Sequence, residues 1–191
     1  MNQCIHQLDI LQWLVGMPKS VFAAARTVDR DITVENDVTA TMRFDCFDGA
    51  FAASTHEIAG INRLEIACDK GRLVIGPLSM KVIRHKSQRE VNATTKRGYG
   101  SAFSWSYRVG YGFFRILADI FFGQQLRSLK AFRDAINGKG DMLADISEGE
   151  RAMQIINGIY LSADSGKEVA LPIDNKRYAE YLERKKAEEN K

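Results

Sequence analysis

The feature that most constrains the fold is a strict alternation of side-chain character just before a tight turn. Apolar residues stand at every second position, at Val38, Ala40, Met42 and Phe44. Polar residues fill the positions between them, at Thr39, Thr41, Arg43 and Asp45. Such alternation predicts a strand with one buried and one solvated face. Asp48-Gly49 then favours a hairpin turn, and residues 50–58 return with small and apolar side chains, so an antiparallel partner is expected.

Short extended runs of the same kind recur along the chain. They lie at residues 21–27, 64–68, 73–75, 81–85 and 168–171, with a weaker candidate at residues 88–95. Short turns such as Asp69-Lys70-Gly71 separate them, and crossover helices do not alternate with strands in this half of the chain. These patterns predict an α+β fold with an antiparallel or mixed sheet.

Helical periodicity returns in the C-terminal half. Residues 113–137 are predicted to be helical, with a stripe at Leu126, Leu129, Phe132, Arg133 and Ile136. Ser147-Glu148-Gly149-Glu150 has the spacing of a capping box for a further helix, which Gly166 ends. Its expected buried face contains Ala152, Ile155, Ile156, Ile159 and Ala163. Residues 96–112 are rich in Gly and aromatic side chains without a period, and are interpreted as a long surface loop.

The N-terminal stretch, residues 2–16, is periodic like a helix laid against a core. The core-facing positions are Cys4, Leu8, Leu11 and Val15. A second stripe contains Asn2, His6, Asp9 and Trp13. At ~100° per residue its members fall within ~60° of arc. Asn2 is an acceptable N-cap, Gly16 suits the residue just past a helix end, and Pro18 cannot extend the helix.

The second stripe brings groups that can handle a proton onto one face. Asp9 stands three residues after His6, so its carboxylate could orient the imidazole as a general acid or base requires. Asn2 could hydrogen-bond the imidazole or a substrate hydroxyl. A histidine near a carboxylate on an amphipathic helix is more often a structural pair, so both interpretations stay open on the residues alone.

Length and composition favour one soluble globular domain. The 191 residues are 45% hydrophobic and 27% charged, and the net charge of +3 gives only a mild bias toward anionic ligands. Three widely spaced cysteines without a C-x-x-C motif argue against disulfides and structural zinc, which fits a reducing cytoplasm. No signal peptide is expected, because Asp9 interrupts the N-terminal apolar run. Residues 109–122 are too short and too charged for the ~20 residues of a membrane span.

Other sites were weighed and have weaker support. Neither Gly98-Tyr99-Gly100 nor Gly110-Tyr111-Gly112 continues into a dinucleotide fingerprint, so no cofactor site is expected in this chain. His56 and His85 lie on predicted strands without paired metal-ligand spacing. A basic run at residues 81–97 leads into the aromatic segment and could stack nucleic-acid bases. A solvated strand edge is the favoured interpretation, so no nucleic-acid partner is expected.

The opening stretch, Asn2 to Gly16, resembles the start of the C-terminal domain in the glucose-fructose oxidoreductase, inositol dehydrogenase and MocA family. The similarity looks closest to the nucleotide-sugar 3-dehydrogenase branch. It continues in Asn62-Arg63-Leu64-Glu65-Ile66 with Lys70-Gly71, in Glu148-Gly149-Glu150-Arg151-Ala152 with Ile159-Tyr160-Leu161-Ser162-Ala163, and in Gly166-Lys167-Glu168-Val169.

The resemblance implies an open-faced, predominantly antiparallel mixed sheet with helices packed on one face. It implies a catalytic role for His6 in proton transfer at the sugar hydroxyl that is oxidised, with Asn2 and Asp9 contacting substrate. Asn2 stands where many members have aspartate. The dinucleotide-binding domain of the family, with its catalytic lysine in a Glu-Lys-Pro motif, has no counterpart here. NAD or NADP is therefore implied only for a full-length relative.

The resemblance also implies how the chain is divided and what it binds. Residues 1–173 are expected to form a substrate-binding and oligomerisation domain, and residues 174–191 a charged C-terminal helix or tail. The expected partners are a sugar or nucleotide-sugar and further copies of the chain, paired through the open sheet face. A non-catalytic oligomerisation module is the alternative.

Overall fold

The structure is a computed structural model that describes residues 4–77, 79–94, 104–110, 123–142 and 144–189. It divides into two compact units. Unit 1 consists of Met1–Gly60 with Ala144–Lys191, and unit 2 of Ile61–Leu143. Each unit contains one four-stranded sheet together with helices. The predicted α+β class is confirmed.

Unit 1 contains three helices and four strands. In chain order they are α1 (Ile5–Val15), β1 (Ser20–Arg26), β2 (Asp37–Arg43), β3 (Asp48–Ser54), a helix at Ile146–Ser165, a two-residue strand at Val169–Ala170 and a helix at Asn175–Glu189. Unit 2 contains β4 (Leu64–Cys68), β5 (Gly71–Ile75), β6 (Ser79–Arg84), α2 (Gln88–Thr94), β7 (Trp105–Gly110) and α3 (Gln124–Ile136). In this numbering the helix at Ile146–Ser165 is α4, the strand at Val169–Ala170 is β8 and the helix at Asn175–Glu189 is α5.

The sheet of unit 1 has the strand order β3-β2-β1-β8, and every pair in it is antiparallel. A hairpin joins β2 to β3, but its turn is not the predicted Asp48-Gly49, because these residues begin β3 and pair with Arg43 and Met42. The turn lies at residues 44–47, where the Phe44 amide donates to the Phe47 carbonyl at 3.0 Å and the two rings stack. Burial alternates along β2, with Val38, Ala40 and Met42 inside. The predicted alternating strand and its antiparallel partner are thus confirmed, whereas the predicted position of the turn is wrong.

Helices α1 and α4 cover the inner face of this sheet and form the core with it. The core side chains are Leu8, Val21, Ala23, Val38, Ala40, Met42, Phe44, Ile155, Ile156, Ile159, Leu161, Val169 and Ile173. Gly158 lets α4 approach closely, since a Cβ there would lie 2.8 Å from Leu171 Cδ2 and 3.1 Å from Val21 Cγ1. Ser162 is completely buried; its hydroxyl accepts from the Ala23 amide at 2.9 Å and donates to the Lys167 carbonyl at 2.7 Å.

The start of α4 differs from the predicted capping box. Asp145 is the N-cap, with Oδ1 accepting from the Glu148 amide at 3.1 Å, and Ser147 lies inside the first turn. The aspartate is preferred because its backbone is extended at φ −102°, as an N-cap requires. The predicted C-terminal end is confirmed, since Gly166 is left-handed at φ 62°.

The predicted charged helix at the C-terminus is α5, which packs against α4. Tyr178 and Tyr181 lie against the core of unit 1 and stack on each other, with ring centroids 5.6 Å apart. Arg184 donates to Asp164 of α4 and lies over the Tyr181 ring. This C-terminal helix is therefore held by both apolar and ionic contacts.

The sheet of unit 2 has the order β4-β5-β6-β7, again with antiparallel pairs throughout. Two predictions for this unit are wrong. Residues 88–94 form helix α2 instead of a strand, because Asp69 and Ser87 supply acceptors for the first-turn amides of Arg89 and Glu90. The predicted loop of residues 96–112 contains strand β7.

The helix predicted in this region is present as α3, and its stripe faces solvent. Its apolar members, Leu126, Leu129, Phe132 and Ile136, are 47%, 64%, 54% and 70% exposed. The remainder of the predicted helix, residues 113–122, lies outside the described residues. No helix among the described residues is long and apolar enough to cross a membrane.

Candidate functional site

The predicted site lies on α1, whose bounds are set by backbone geometry. The helix begins at Ile5, with Cys4 at the N-cap position and no side-chain cap, so Asn2 is not its N-cap. Asn2 itself lies outside the described residues. At the other end Gly16 has φ 85° and its amide donates to the Gln12 carbonyl at 2.9 Å. The predicted end of the helix at Gly16 is confirmed, and glycine suits it because a positive φ is strained for other residues.

One face of α1 is fixed in the core of unit 1. Leu8 is fully buried, and Ile5, Leu11 and Val15 pack against the same core. The core-facing spacing predicted for Leu8, Leu11 and Val15 is confirmed. Burial raises the pKa of the half-buried Cys4 thiol, so this cysteine is not set up as a nucleophile.

The other face of α1 is open and partly apolar. His6 is exposed, and Ile10, Trp13 and Leu14 are 45%, 71% and 39% exposed. At ~100° per residue these four side chains project within about 100° of arc. A contiguous apolar group beside a histidine is unlike singly scattered exposed residues and marks a surface that contacts something else.

Asp9 is held by a residue that sequence reasoning missed. The buried amide of Gln12, which is only 4% exposed, donates from Nε2 to Asp9 Oδ1 at 3.1 Å. Within the described part of α1 no hydrogen bond joins His6 to Asp9. The Asp-x-x-Gln spacing in the sequence indicates that this contact is possible, because residues three apart are neighbours on a helix. The structure thus orients Asp9 through Gln12 and leaves the His6 ring at the surface.

A second histidine pairs with a carboxylate at one end of the unit 1 sheet. His56 Nε2 lies 3.3 Å from Asp37 Oδ2, which also accepts from Arg26 at 3.1 Å. The Arg26 hydrogen bond lowers the pKa of Asp37 more than the His56 contact does. In the described residues no three His, Cys, Asp or Glu side chains converge as a metal site requires.

The basic and aromatic segment lies on the edge of the unit 2 sheet. Arg84 of β6 stands over the Trp105 ring at 5.6 Å, and Trp105 stacks on Tyr107 with centroids 5.5 Å apart. Both rings project from β7 on the same face, since they are two residues apart. The predicted surface aromatics are therefore ordered by a strand and a cation–π contact.

A nicotinamide dinucleotide does not fit the described residues. Dinucleotide-binding units need parallel strands joined by a helix, with a glycine-rich turn at the helix N-terminus. Every strand pair that the structure describes is antiparallel. No chemical step of this chain is accordingly assigned to such a cofactor.

Comparison with known proteins confirms the resemblance inferred from the sequence. Residues 1–74 match the family model of the GFO/IDH/MocA C-terminal domain. This region contains α1 with His6, the sheet of unit 1 up to β3, and the first strands of unit 2. No curated protein sequence matches the chain.

Solved structures share the fold over most of the chain. The Bordetella pertussis WlbA dehydrogenase, in complex with NADH and UDP-GlcNAcA, is 20% identical with a TM-score of 0.57, covering 91% of this chain and 45% of that one. Levoglucosan dehydrogenase, in complex with NADH and levoglucosan, is 17% identical with a TM-score of 0.62, covering 89% and 49%. An NAD binding oxidoreductase from Klebsiella pneumoniae is 18% identical with a TM-score of 0.64, covering 89% and 50%. The chain thus spans about half the length of these structures.

Proposed function

We propose, from the match of residues 1–74 to the GFO/IDH/MocA C-terminal domain, that this chain is the substrate-contacting half of an NAD(P)-dependent oxidoreductase. The substrate class is a sugar or nucleotide-sugar. Two similarly folded dehydrogenases, WlbA and levoglucosan dehydrogenase, are in complex with such molecules. The cofactor would be held by a separate dinucleotide-binding half, because the described residues offer no site for it.

The observation that carries the proposal is the open face of α1. Trp13 is 71% exposed beside His6, although the opposite face of the same helix is sealed in the core by Leu8. Exposing an indole to water forgoes the stabilisation its burial would give. A complementary surface on the dinucleotide-binding half would cover it and leave His6 at the junction.

The roles follow from what each side chain can do. His6 takes the proton from the sugar hydroxyl that is oxidised, as a histidine suits near neutral pH. Asp9 contacts the substrate from an orientation fixed by Gln12. Asn2 contacts the substrate as well. The electron transfer itself belongs to the half that holds the dinucleotide.

Two measurements test this function. The purified chain is expected to bind neither NAD nor NADP by calorimetry, and tight stoichiometric binding of either would overturn the proposal. Combined with a dinucleotide-binding half, the chain is expected to oxidise its sugar. His6→Ala should then lower turnover far more than it changes KM.

His56→Ala is the matched control for that substitution. It removes the same side chain from unit 1 at a position paired with Asp37 rather than on α1. Turnover of this variant is expected to stay within about twofold of the parent, since His56 lies outside the face of α1 to which the chemistry is assigned. Equal losses in the two variants would remove His6 from the mechanism.

The same proposal assigns residues 1–173 to substrate contact and assembly and leaves residues 174–191 as a helical extension. A cytoplasmic location is part of it, since no disulfide joins Cys4, Cys46 and Cys68 in the part of the chain that the structure describes.

A homo-oligomer formed through the sheet of unit 1 is the second candidate function. The face away from the helices exposes Phe22 at 51% beside the small residues Ala24, Ala50 and Ala52. Such a flat surface can approach a second copy closely. Phe22→Asp should then shift a dimer to monomers in light scattering, whereas Ile58→Asp, at a fully exposed position outside the strands, should not. A monomeric parent at micromolar concentration would contradict this assembly.

A further inference from the structure

Formal charge is divided unequally between the two units. Residues 61–143 hold fifteen Lys and Arg against six Asp and Glu, a net charge of +9. The rest of the chain holds twelve against eighteen, a net charge of −6. The total of +3 conceals this segregation. A field of one sign raises the local concentration of oppositely charged ligands, here anions.

Unit 2 contains a cavity that could receive such an anion. It has a volume of about 320 Å³ and lies where the β4–β5 turn contacts the start of α2. This volume is at the lower end of the roughly 300–1,000 Å³ usual for small-molecule sites. Arg72, His85 and Arg89 line it, together with the exposed thiol of Cys68. Three nitrogen-bearing side chains thus border one small space.

The two arginines have different partners. Arg72 donates to Glu65, which also pairs with Arg63, so only part of its guanidinium is engaged. The Arg89 guanidinium makes no salt bridge within the residues that the structure describes. Five N–H donors in a planar fork match the oxygens of a phosphate group, and an arginine without a carboxylate partner is free to supply them.

Asp69 fixes the wall of the cavity. Its carboxylate Oδ1 accepts from the Arg89 amide at 3.1 Å and from the Ser87 hydroxyl at 3.0 Å, and its carbonyl accepts from the Gln88 amide at 2.7 Å. These contacts join the β4–β5 turn to α2, so Arg72 and Arg89 are held across the same space. The Asp69 carboxylate is thus engaged in hydrogen bonds that form the cavity wall.

The His85 ring has one nitrogen committed to the backbone. Nδ1 lies 2.6 Å from the Lys86 carbonyl, which can only accept, so Nδ1 carries the hydrogen. Nε2 is then the nitrogen left for a ligand, and it is a donor when the ring is protonated. We propose that this cavity binds the phosphate group of a small phosphorylated metabolite through Arg72, Arg89 and His85. The site is independent of the role proposed for α1.

The chain carries its own probe for this site. Cys68 lines the cavity, whereas Cys46 is also exposed but lies in unit 1. Alkylation of both thiols is followed by mass spectrometry in inorganic phosphate and, for comparison, in chloride at equal ionic strength. Phosphate is expected to slow alkylation of Cys68 at least threefold in a saturable manner, with Cys46 unchanged. Equal rates at Cys68 in phosphate and chloride up to 10 mM would overturn the proposal.

Three further ligands identify the source of the phosphate. Glucose 6-phosphate and AMP are both expected to protect Cys68, and the one effective at lower concentration names the sugar or nucleotide class. A 20-nucleotide single strand is the third. Protection by the oligonucleotide alone would overturn the proposal in favour of a nucleic-acid surface.

Arg89→Gln and Arg108→Gln separate a built site from general attraction. Both remove one positive charge from unit 2, but Arg108 on β7 is exposed and does not line the cavity. Arg89→Gln should raise the phosphate concentration for half-protection about tenfold or more, as loss of a charged hydrogen bond predicts. Arg108→Gln should leave it unchanged. Equal effects of the two substitutions would reduce the site to diffuse electrostatics and overturn it.

Discussion

Unit 1 and unit 2 each contain a four-stranded antiparallel sheet, but they differ in what covers it. In unit 1, α1 and α4 seal one sheet face, and residues such as Leu8, Met42 and Ile155 are completely buried. Among the described residues of unit 2, no hydrophobic side chain is buried to that extent. Strand pairing alone therefore does not make a core; amphipathic helices have to close the sheet.

The strands of unit 2 have the apolar pattern that such closure needs. From the pairing register, one face of its sheet carries Leu64, Ile66, Leu73, Ile75, Met80, Val82, Tyr107 and Val109. These side chains are half-buried or exposed. Since buried apolar area is the main source of stability, the described part of unit 2 contributes less to it than unit 1 does.

The largest test of this difference is a pair of isoleucine substitutions. Ile155→Ala in α4 removes a side chain that is 0% exposed and should lower the free energy of unfolding by about 2–5 kcal/mol. Ile136→Ala in α3, at 70% exposure, should change it by less than about 0.5 kcal/mol. Urea unfolding followed by circular dichroism measures both. Comparable losses would show that α3 is packed as tightly as α4.

The buried serines of the two units provide the next comparison. Ser162→Ala leaves the Ala23 amide and the Lys167 carbonyl without their partner and should cost about 1–3 kcal/mol. Ser87→Ala in unit 2 loses a contact with the half-buried Asp69, whose carboxylate solvent still reaches, and should cost less. Thermal unfolding in the same buffer ranks them, and the reverse order would break the comparison.

A smaller effect is expected from the ionic contact between α4 and α5. Burial acts to raise the pKa of Asp164, but hydrogen bonds from Arg184 and Lys185 lower it overall from its ordinary value of 3.8. A lowered carboxyl pKa stabilises the fold fully above the ordinary value, and this stabilisation is lost as pH falls through the folded pKa. Asp164→Asn should therefore cost up to about 1 kcal/mol at pH 7 and progressively less below pH 3.8.

Asp134→Asn is the control for that experiment. Its carboxylate, in unit 2, accepts from the adjacent Arg133 on the same helix. Stability measured between pH 2.5 and 7 should differ little from the parent. A penalty for Asp164→Asn that stays constant across this range would contradict the ionic origin of the contact.

The smallest effect is expected at His6. Because the side chain is exposed on α1, His6→Ala should change the free energy of unfolding by less than about 0.5 kcal/mol. A larger loss of stability in thermal unfolding would indicate that His6 has a structural role, like the buried residues on the opposite face of α1.

Regular local patterns made much of the fold predictable from the sequence. Period-two alternation predicted β2 with its antiparallel partner, although the Asp48-Gly49 pair misplaced the turn between them, and the spacing of Leu8, Leu11 and Val15 predicted the buried face of α1. These features depend on neighbours along the chain. Strand β7 was missed although Trp105, Tyr107 and Val109 alternate, because the surrounding glycines obscured the pattern.

Features that depend on distant residues were not predictable in this way. Helix α2 is defined by acceptors on Asp69, which lies twenty residues before Arg89. The exposure of α3 depends on what packs against it, which periodicity does not encode. At the candidate site, helical geometry placed His6 and Asp9 on one side of α1, but the hydrogen bond from Gln12 required side-chain conformations. The unequal net charges of the two units are present in the sequence, but the net charge of the whole chain does not show them.

The exposed tryptophan of α1 has a spectroscopic consequence. The chain holds two tryptophans, Trp13 in unit 1 and Trp105 in unit 2, which are 71% and 50% exposed. Trp105→Phe leaves Trp13 as the sole emitter, and Trp13→Phe leaves Trp105. A surface that covers α1 dehydrates the first indole, so its fluorescence shifts to shorter wavelength and becomes resistant to acrylamide quenching. Intrinsic tryptophan fluorescence therefore reports binding near Trp13 and binding near Trp105 separately, without an attached dye.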